Sequence, residues 1–339
     1  MDSLTQIVLG AAVGEVLLGK KLGWKAQVLG AIAGTIPDLD ILANLFSDDE
    51  LFRLLTHRAY THAWFIQLFM AWPLALLSSK LDKVNYSFKR YFWFWYVGFA
   101  THALLDAFTA YGTRLFLPFS NELVAFNVVS VIDFFYTIPF LVLLIICLFL
   151  KKDNPKRVKI AILALVISTS YLGVNGIVKY NVHKKFEKEL LAQNIAYDEL
   201  STNPAMFNGF LWHAVIKAKD TLYCSEYSIF QKTKSLDIIP YVKNEHLEKG
   251  FEGEILNTLK WFANDFYILE KEGNDTLNFY NIKWGRMDYS KTLPNESFRF
   301  YYKIIKENGQ TKLVPIQPKL KGKEFNSILK NLWDRIFNY

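Results

Sequence analysis

Cysteine is close to absent from this chain. Cys147 lies inside an apolar run and Cys224 in a polar half of the sequence, environments too different for the two to pair. That excludes a disulfide framework and a cysteine-based zinc site. The amino end has no basic segment ahead of its first apolar stretch, so no secretory signal is expected. An acidic excess is missing too: 39 Lys and Arg stand against 32 Asp and Glu, a formal net charge of +7. The positive residues do not form a patch suited to nucleic acid. They punctuate the ends of apolar runs, where lysine and arginine anchor and orient membrane helices.

What is present is unevenly distributed. Up to about Val178 the sequence consists of apolar runs with short basic breaks, at residues 4–19, 26–36, 41–46, 61–79, 91–111, 134–150 and 160–178. From Lys179 onward it reads as an ordinary water-exposed mixture. The expected architecture is mainly α: a polytopic transmembrane bundle over residues 1–178, then a soluble α+β domain over 179–339. About six apolar helices are expected, the first two short, because eleven helical residues span only about 16 Å. The basic stretches 20–25, 80–90 and 151–159 alternate with the poorer loops 47–60 and 112–133, which predicts that the basic set faces the cytoplasm. In the second half, 183–193 reads as a helix, 211–218, 221–229, 277–282, 298–305 and 313–316 as strands, and 325–337 as a closing amphipathic helix. Turns are expected at 295–297 and 307–309.

Three polar constellations interrupt the apolar half. His102 and Asp106 are four apart in an aromatic run, hence on one helix face, and ionisable groups at that depth are costly enough to require a function. Their plainer reading is a buried His–Asp hydrogen bond. Pro37-Asp38-Leu39-Asp40 places two carboxylates two apart; in an extended or turn segment both would converge on one cation, whereas the alternative is a helix cap at Asp38 with Asp40 solvated. Thr56-His57-Arg58-Ala59-Tyr60-Thr61-His62 offers two imidazoles with a guanidinium between them, suited to a metal and an anionic oxygen, or else a pair of interfacial histidines. Asp38, Asp40, His57, His62, His102 and Asp106 all fall toward the outer face in this topology. They are the expected metal ligands, for one to three ions. Zn2+ is the first choice and Mn2+ the second, since the donors are nitrogen and oxygen. Arg58 is expected to bind an anionic substrate group, and Glu15 or one of the other carboxylates to serve as base. Thr109 and Tyr111 could orient ligands, and Asp133 reads as a helix cap.

The stretches Met-Asp-Ser-Leu-Thr-Gln at residues 1–6, Gly34-Thr-Ile-Pro-Asp-Leu-Asp40, His57-Arg-Ala-Tyr-Thr-His62 and His102-Ala-Leu-Leu-Asp106 resemble the YdjM-like family of inner-membrane-associated metal-dependent hydrolases. The resemblance covers roughly residues 1–178. It implies a bacterial inner-membrane hydrolase whose metal residues correspond to the six named above, with Gln6 standing where relatives often carry histidine. The HxxxD element is also distantly similar to zinc-dependent phospholipase C proteins, which implies a phospholipid or other phosphodiester substrate. The expected function is therefore a multi-pass, metal-dependent hydrolase with its active site and C-terminal domain outside the cytoplasm, and with membrane lipid as neighbour or substrate. The competing reading is a membrane metal-binding protein without catalysis, either a transporter or a scaffold whose outer domain holds a partner.

Overall fold

A computed structural model describes residues 1–232, 235–286, 298–307, 310–316 and 322–338. The turn expected at 295–297, and most of that at 307–309, lie outside the described residues. The chain divides into two compact units: residues 1–48 with 53–175, and residues 49–52 with 176–339.

In the first unit, α1 (Ser3–Leu22) starts at an Asp2 cap, whose side chain accepts from the Thr5 amide. Gly23 turns the chain with φ +60° into α2 (Trp24–Thr35), which runs back along α1. The two helices approach unusually closely. A Cβ on Gly10 would lie 2.1 Å from the Gly30 carbonyl, and one on Gly34 would lie 2.2 Å from the Gln6 carbonyl. Glycines spaced four apart on both helices, Gly10 and Gly14 against Gly30 and Gly34, thus allow backbone-to-backbone packing. Pro37 ends α2, and a 3₁₀ helix, Ile36–Leu45, continues the chain. A short α3 (Glu50–Thr56) and a 3₁₀ turn, Tyr60–His62, lead into α4 (Trp64–Leu81). α5 (Phe88–Ala107), capped by Ser87, returns alongside α4. After a loop come α6 (Phe134–Phe149), capped by Asp133, and the 37-residue α7 (Lys156–Ala192).

Three of these helices are long and apolar enough to cross a membrane: Ser3–Leu22, Trp64–Leu81 and Lys156–Ala192; Phe134–Phe149 is apolar but shorter. The expectation of about six crossings is corrected by this count. α2 has only 12 residues, the 41–46 run belongs to a 3₁₀ helix, and α5 is diluted by Lys89, Arg90, His102 and Asp106. Phe69, Trp72, Leu77, Ile138, Val142 and Val166 are exposed, as side chains of helices solvated by hydrocarbon would be. The helix predicted at 183–193 is the end of α7, and the boundary between the two units falls inside that helix, between Asn175 and Gly176.

The second unit holds two antiparallel four-stranded sheets. The first orders β1 (Glu199–Pro204), β2 (Leu211–Ala218), β3 (Thr221–Ser228) and β4 (Ile239–Val242). The second, after α8 (Glu254–Phe262), orders β5 (Tyr267–Glu272), β6 (Thr276–Arg286), β7 (Phe298–Glu307) and β8 (Gln310–Ile316), and α9 (Gly322–Phe337) closes the chain. β2 is apolar on both faces because both are covered. Val215 joins the core of Leu222, Phe266, Ile268, Tyr280 and Ile282, while Trp212, Ala214 and Ile216 meet Val182, Phe186 and Leu190 of α7. Tyr280 and Tyr301 are cross-strand partners whose rings stack 4.5 Å apart.

Candidate metal centre

The site forms where the ends of α1, α2 and α5 meet two 3₁₀ segments. α5 carries His102 and Asp106 on one face, one turn apart, both fully buried. The close α1–α2 approach brings the Gly34 carbonyl to 2.7 Å from His102 Nδ1, so that nitrogen donates and leaves the Nε2 lone pair facing inward. His62 is held in the same sense. The Thr61 hydroxyl donates to Asp40 Oδ2 at 3.3 Å, so its oxygen accepts from His62 Nδ1 at 3.0 Å, and His62 Nε2 also faces inward. Locking the outer ring nitrogen in this way is how metal-ligating imidazoles are oriented.

Asp38, His62, His102 and Asp106 each offer one atom to a common point, all four within 4.8 Å of one another. The separations are 3.1 Å between the two Nε2 atoms, 3.3 and 3.4 Å from Asp38 Oδ1 to His102 and His62, and 3.4 and 3.8 Å from Asp106 Oδ2 to His62 and His102. A tetrahedron of ligands with bonds of about 2.0–2.1 Å has edges of about 3.3–3.4 Å. The donor set therefore fits one divalent ion. Two imidazole lone pairs facing each other at 3.1 Å beside two carboxylates would repel unless positive charge lay between them. The ionisation of the group expresses the same demand. Burial alone would lift the Asp38 carboxyl, but His102 and His62, which donate to it when protonated at Nε2 with no ion between them, outweigh burial and hold the acid well below its usual range. Burial opposes charge on His62, yet the Asp106 and Asp38 carboxylates outweigh it and raise the imidazole. Asp38, with 24% of its side chain exposed, is the member of the four that opens toward solvent.

Other residues surround this group without joining it. In the 3₁₀ helix, positions two apart point in different directions, so Asp38 and Asp40 do not converge as an extended segment would have made them. Asp40 turns instead to His57 Nδ1 at 3.1 Å and to the Arg58 amide at 2.8 Å. His57, 34% exposed, stays outside the four-residue group with Asp40. Arg58, in a left-handed conformation with φ +53°, is buried, and its fork is not open to a substrate. Its Nε lies 3.0 Å from Asp106 Oδ2, its Nη1 donates to Thr109 Oγ1 at 3.3 Å, and its guanidinium covers the Tyr111 ring at 4.8 Å. Arg58 thus lies against Asp106, a member of the four-residue group, and not at an open surface. Gln6, left open by the sequence, donates to Asp106 Oδ1 at 2.8 Å and to the His102 carbonyl at 3.2 Å, and the Met1 amino group contacts Asp106 Oδ1.

Glu15 is elsewhere. Nine residues along α1 from Gln6, about 13 Å by helical rise, it receives Arg157 Nε at 2.9 Å and Nη2 at 2.7 Å, and Gln27 Nε2 at 3.0 Å. A carboxylate so occupied cannot serve as base at the centre. The sequence concealed its partner because Arg157 stands in the basic stretch 151–159, read as solvated punctuation. Asp133 caps α6 through the Phe135 and Tyr136 amides and accepts from the Tyr171 hydroxyl.

The sequence profile of the YdjM inner membrane protein family matches residues 1–182. The chain belongs to that family, and the matched segment contains the whole candidate centre. It is similar to the "Uncharacterized protein YfhP" of Bacillus subtilis (strain 168), 27% identical over 144 residues, which cover 39% of this chain and 42% of that protein. No solved structure matches.

Proposed function

We propose that this membrane protein is a metal-dependent hydrolase that holds one divalent ion, Zn2+ by preference, on Asp38, His62, His102 and Asp106, and cleaves a phospholipid or another phosphodiester. The observation that carries the proposal is the cluster of four donor atoms within 4.8 Å of one another, whose two imidazoles are locked with their lone pairs inward. A divalent ion there supplies a Lewis acid for a phosphoryl oxygen and lowers the pKa of water toward neutrality. Asp38 borders the open side and is the group beside which substrate and water would enter. Arg58 and Gln6 fix the Asp106 carboxylate and keep it from rotating away. Asp40 orients His62 through Thr61.

The proposed sidedness draws its support from the positions of the basic residues. Lys21 donates to the Val84 carbonyl and Arg90 to the Leu17 carbonyl, so the basic ends of α1 and α5 lie together at the end remote from the centre. The excess of positive charge there supports a cytoplasmic location for that end and an extracytoplasmic location for the centre and the C-terminal unit.

A second reading, a metal-binding protein without catalysis, draws support from the number of donors. Four protein ligands close a tetrahedral zinc shell, whereas catalytic zinc commonly keeps one position open. The two readings separate in one experiment. Purified protein loaded with Zn2+ or Mn2+ is offered bis(p-nitrophenyl) phosphate and a panel of phospholipids in mixed micelles, with Asp38→Asn as the variant that vacates the solvent side. Turnover that depends on metal and is lost in Asp38→Asn supports the hydrolase. Fully loaded protein without turnover across the panel supports the non-catalytic reading.

A further inference from the structure

The second unit carries an apolar surface that its own fold does not use. α9 is seated by Ile328, Leu332 and Ile336, which pack against Ala205, Met206 and Leu211. It is fastened further by Arg335 to Glu226 at 2.8 Å and by the Ser228 hydroxyl to the Ile336 carbonyl at 2.6 Å. One face is therefore fully engaged. Beside it runs a second apolar row at four-residue spacing, Phe325, Leu329, Trp333 and Phe337, all exposed and Trp333 at 62%. An amphipathic helix needs one apolar face to seat itself, and two adjacent ones exceed what the domain core requires. The row is extended by Phe230, 47% exposed and stacked on Phe337 at 5.1 Å, while Trp333 meets the Phe337 ring at 4.6 Å.

The charges around this row favour one occupant. Lys232 and Lys330 are exposed, and Lys319, Lys321 and Lys323 stand in the sequence immediately ahead of Phe325. Glu324 and Asp334 are the acidic residues between 319 and 338. Lys330 on the helix and Lys232, two residues from Phe230, beside exposed Trp, Phe and Leu compose a surface suited to the headgroup region of an anionic bilayer. A second copy of the chain is a poorer match, since a two-fold contact would set these lysines against one another. Because the chain is itself a membrane protein, a bilayer surface is always within reach of the tethered domain, which raises its effective concentration.

We infer that the α9 face docks on the surface of an anionic membrane, with Trp333, Leu329 and Phe230 at headgroup depth and Lys232 and Lys330 on acidic lipid headgroups. Each lysine near an anionic surface strengthens such partition roughly fivefold. The test uses the full chain in nanodiscs of either pure phosphatidylcholine or a mixture with phosphatidylglycerol. A fluorophore is placed at Leu329→Cys, with Lys271→Cys on an exposed position of β5 as reference; Cys147 and Cys224 are buried. Shallow spin-labelled lipid should quench the label at 329 and not at 271. Quenching should require phosphatidylglycerol, weaken with salt, and be lost in Lys232→Glu/Lys330→Glu, whose thermal transition should match that of the parent. Absence of quenching in anionic discs, or equal quenching in both compositions, overturns the inference. So does a 329–329 crosslink between copies in place of lipid quenching.

Discussion

Glu15 and Arg157 make the clearest single-residue case. Both are buried, and the guanidinium that grips Glu15 also donates to the Cys147 and Leu150 carbonyls at the end of α6. Removing one partner leaves the other charge buried and uncompensated, a loss of roughly 3–5 kcal/mol. Glu15→Ala should therefore lower stability in a detergent melt by that order, while folded protein retains its metal, because the pair takes no part in the centre. A Glu15→Ala protein that melts like wild type but loses metal would reverse the assignment. In the centre itself, Arg58→Lys keeps the charge and loses the planar contact with Asp106, Thr109 and Tyr111. Its metal affinity should fall by about 10–100-fold, the usual effect of removing a group that orients a ligand, as read by competition with a chelating dye. His62, His102, Asp38 and Asp106 were legible as candidates from residue type and spacing. The division of Asp38 from Asp40, and of His62 from His57, was not, because it depends on the 3₁₀ path after Pro37 and on the left-handed turn at Arg58.

At the scale of elements, the α1–α2 hairpin is the part on which the centre depends. Gly10 and Gly30 meet backbone to backbone, and the Gly34 carbonyl fixes His102 only while that contact holds. Gly30→Leu puts a side chain where a Cβ alone would stand 2.1 Å from the Gly10 carbonyl. Such a protein should lose metal binding although every ligand is intact, whereas Gly173→Leu on α7, with open space around the added atom, should not. Equal metal content in the two variants, measured by elemental analysis, would detach the hairpin from the site. Strands were easier to foresee where aromatic and aliphatic residues are dense, as in β2, β3 and β7. β1 carries Asn203 and Pro204, β4 is four residues long with Pro240, and β5 ends in Glu-Lys-Glu, so their sequences resemble loops. α8 is short, and its amphipathic pattern in nine residues was easily passed over.

For the molecule as a whole, two units with different solvents imply different responses to acid. Glu226 in the second unit is only 13% exposed, and although desolvation alone would raise it, His213 and Arg335 hold its carboxyl down to about 2, against an ordinary 4.5. The folded state then binds this proton less readily than the unfolded chain. Its contribution is complete above about pH 4.5 and is lost as pH falls toward 2, on the order of 3 kcal/mol. Glu226→Gln should remove that pH-dependent increment from the unfolding of the second unit, followed by tryptophan emission. An unchanged slope between those pH values would show that the carboxylate is not held as described. The membrane character of the first half was visible in its apolar runs and basic punctuation. The count of crossings was not, since helix length in three dimensions, and not hydropathy alone, decides which runs can span.

The most direct test of the centre is metal stoichiometry across a variant set, by elemental analysis on gently purified protein together with anomalous scattering at the zinc edge. The account predicts one ion per chain, with the scattering peak between Asp38, His62, His102 and Asp106. It predicts loss of that ion in His102→Ala and Asp106→Ala, and its retention in His57→Ala. Wild-type protein that takes up no metal, or His57→Ala protein as empty as His102→Ala, would contradict it.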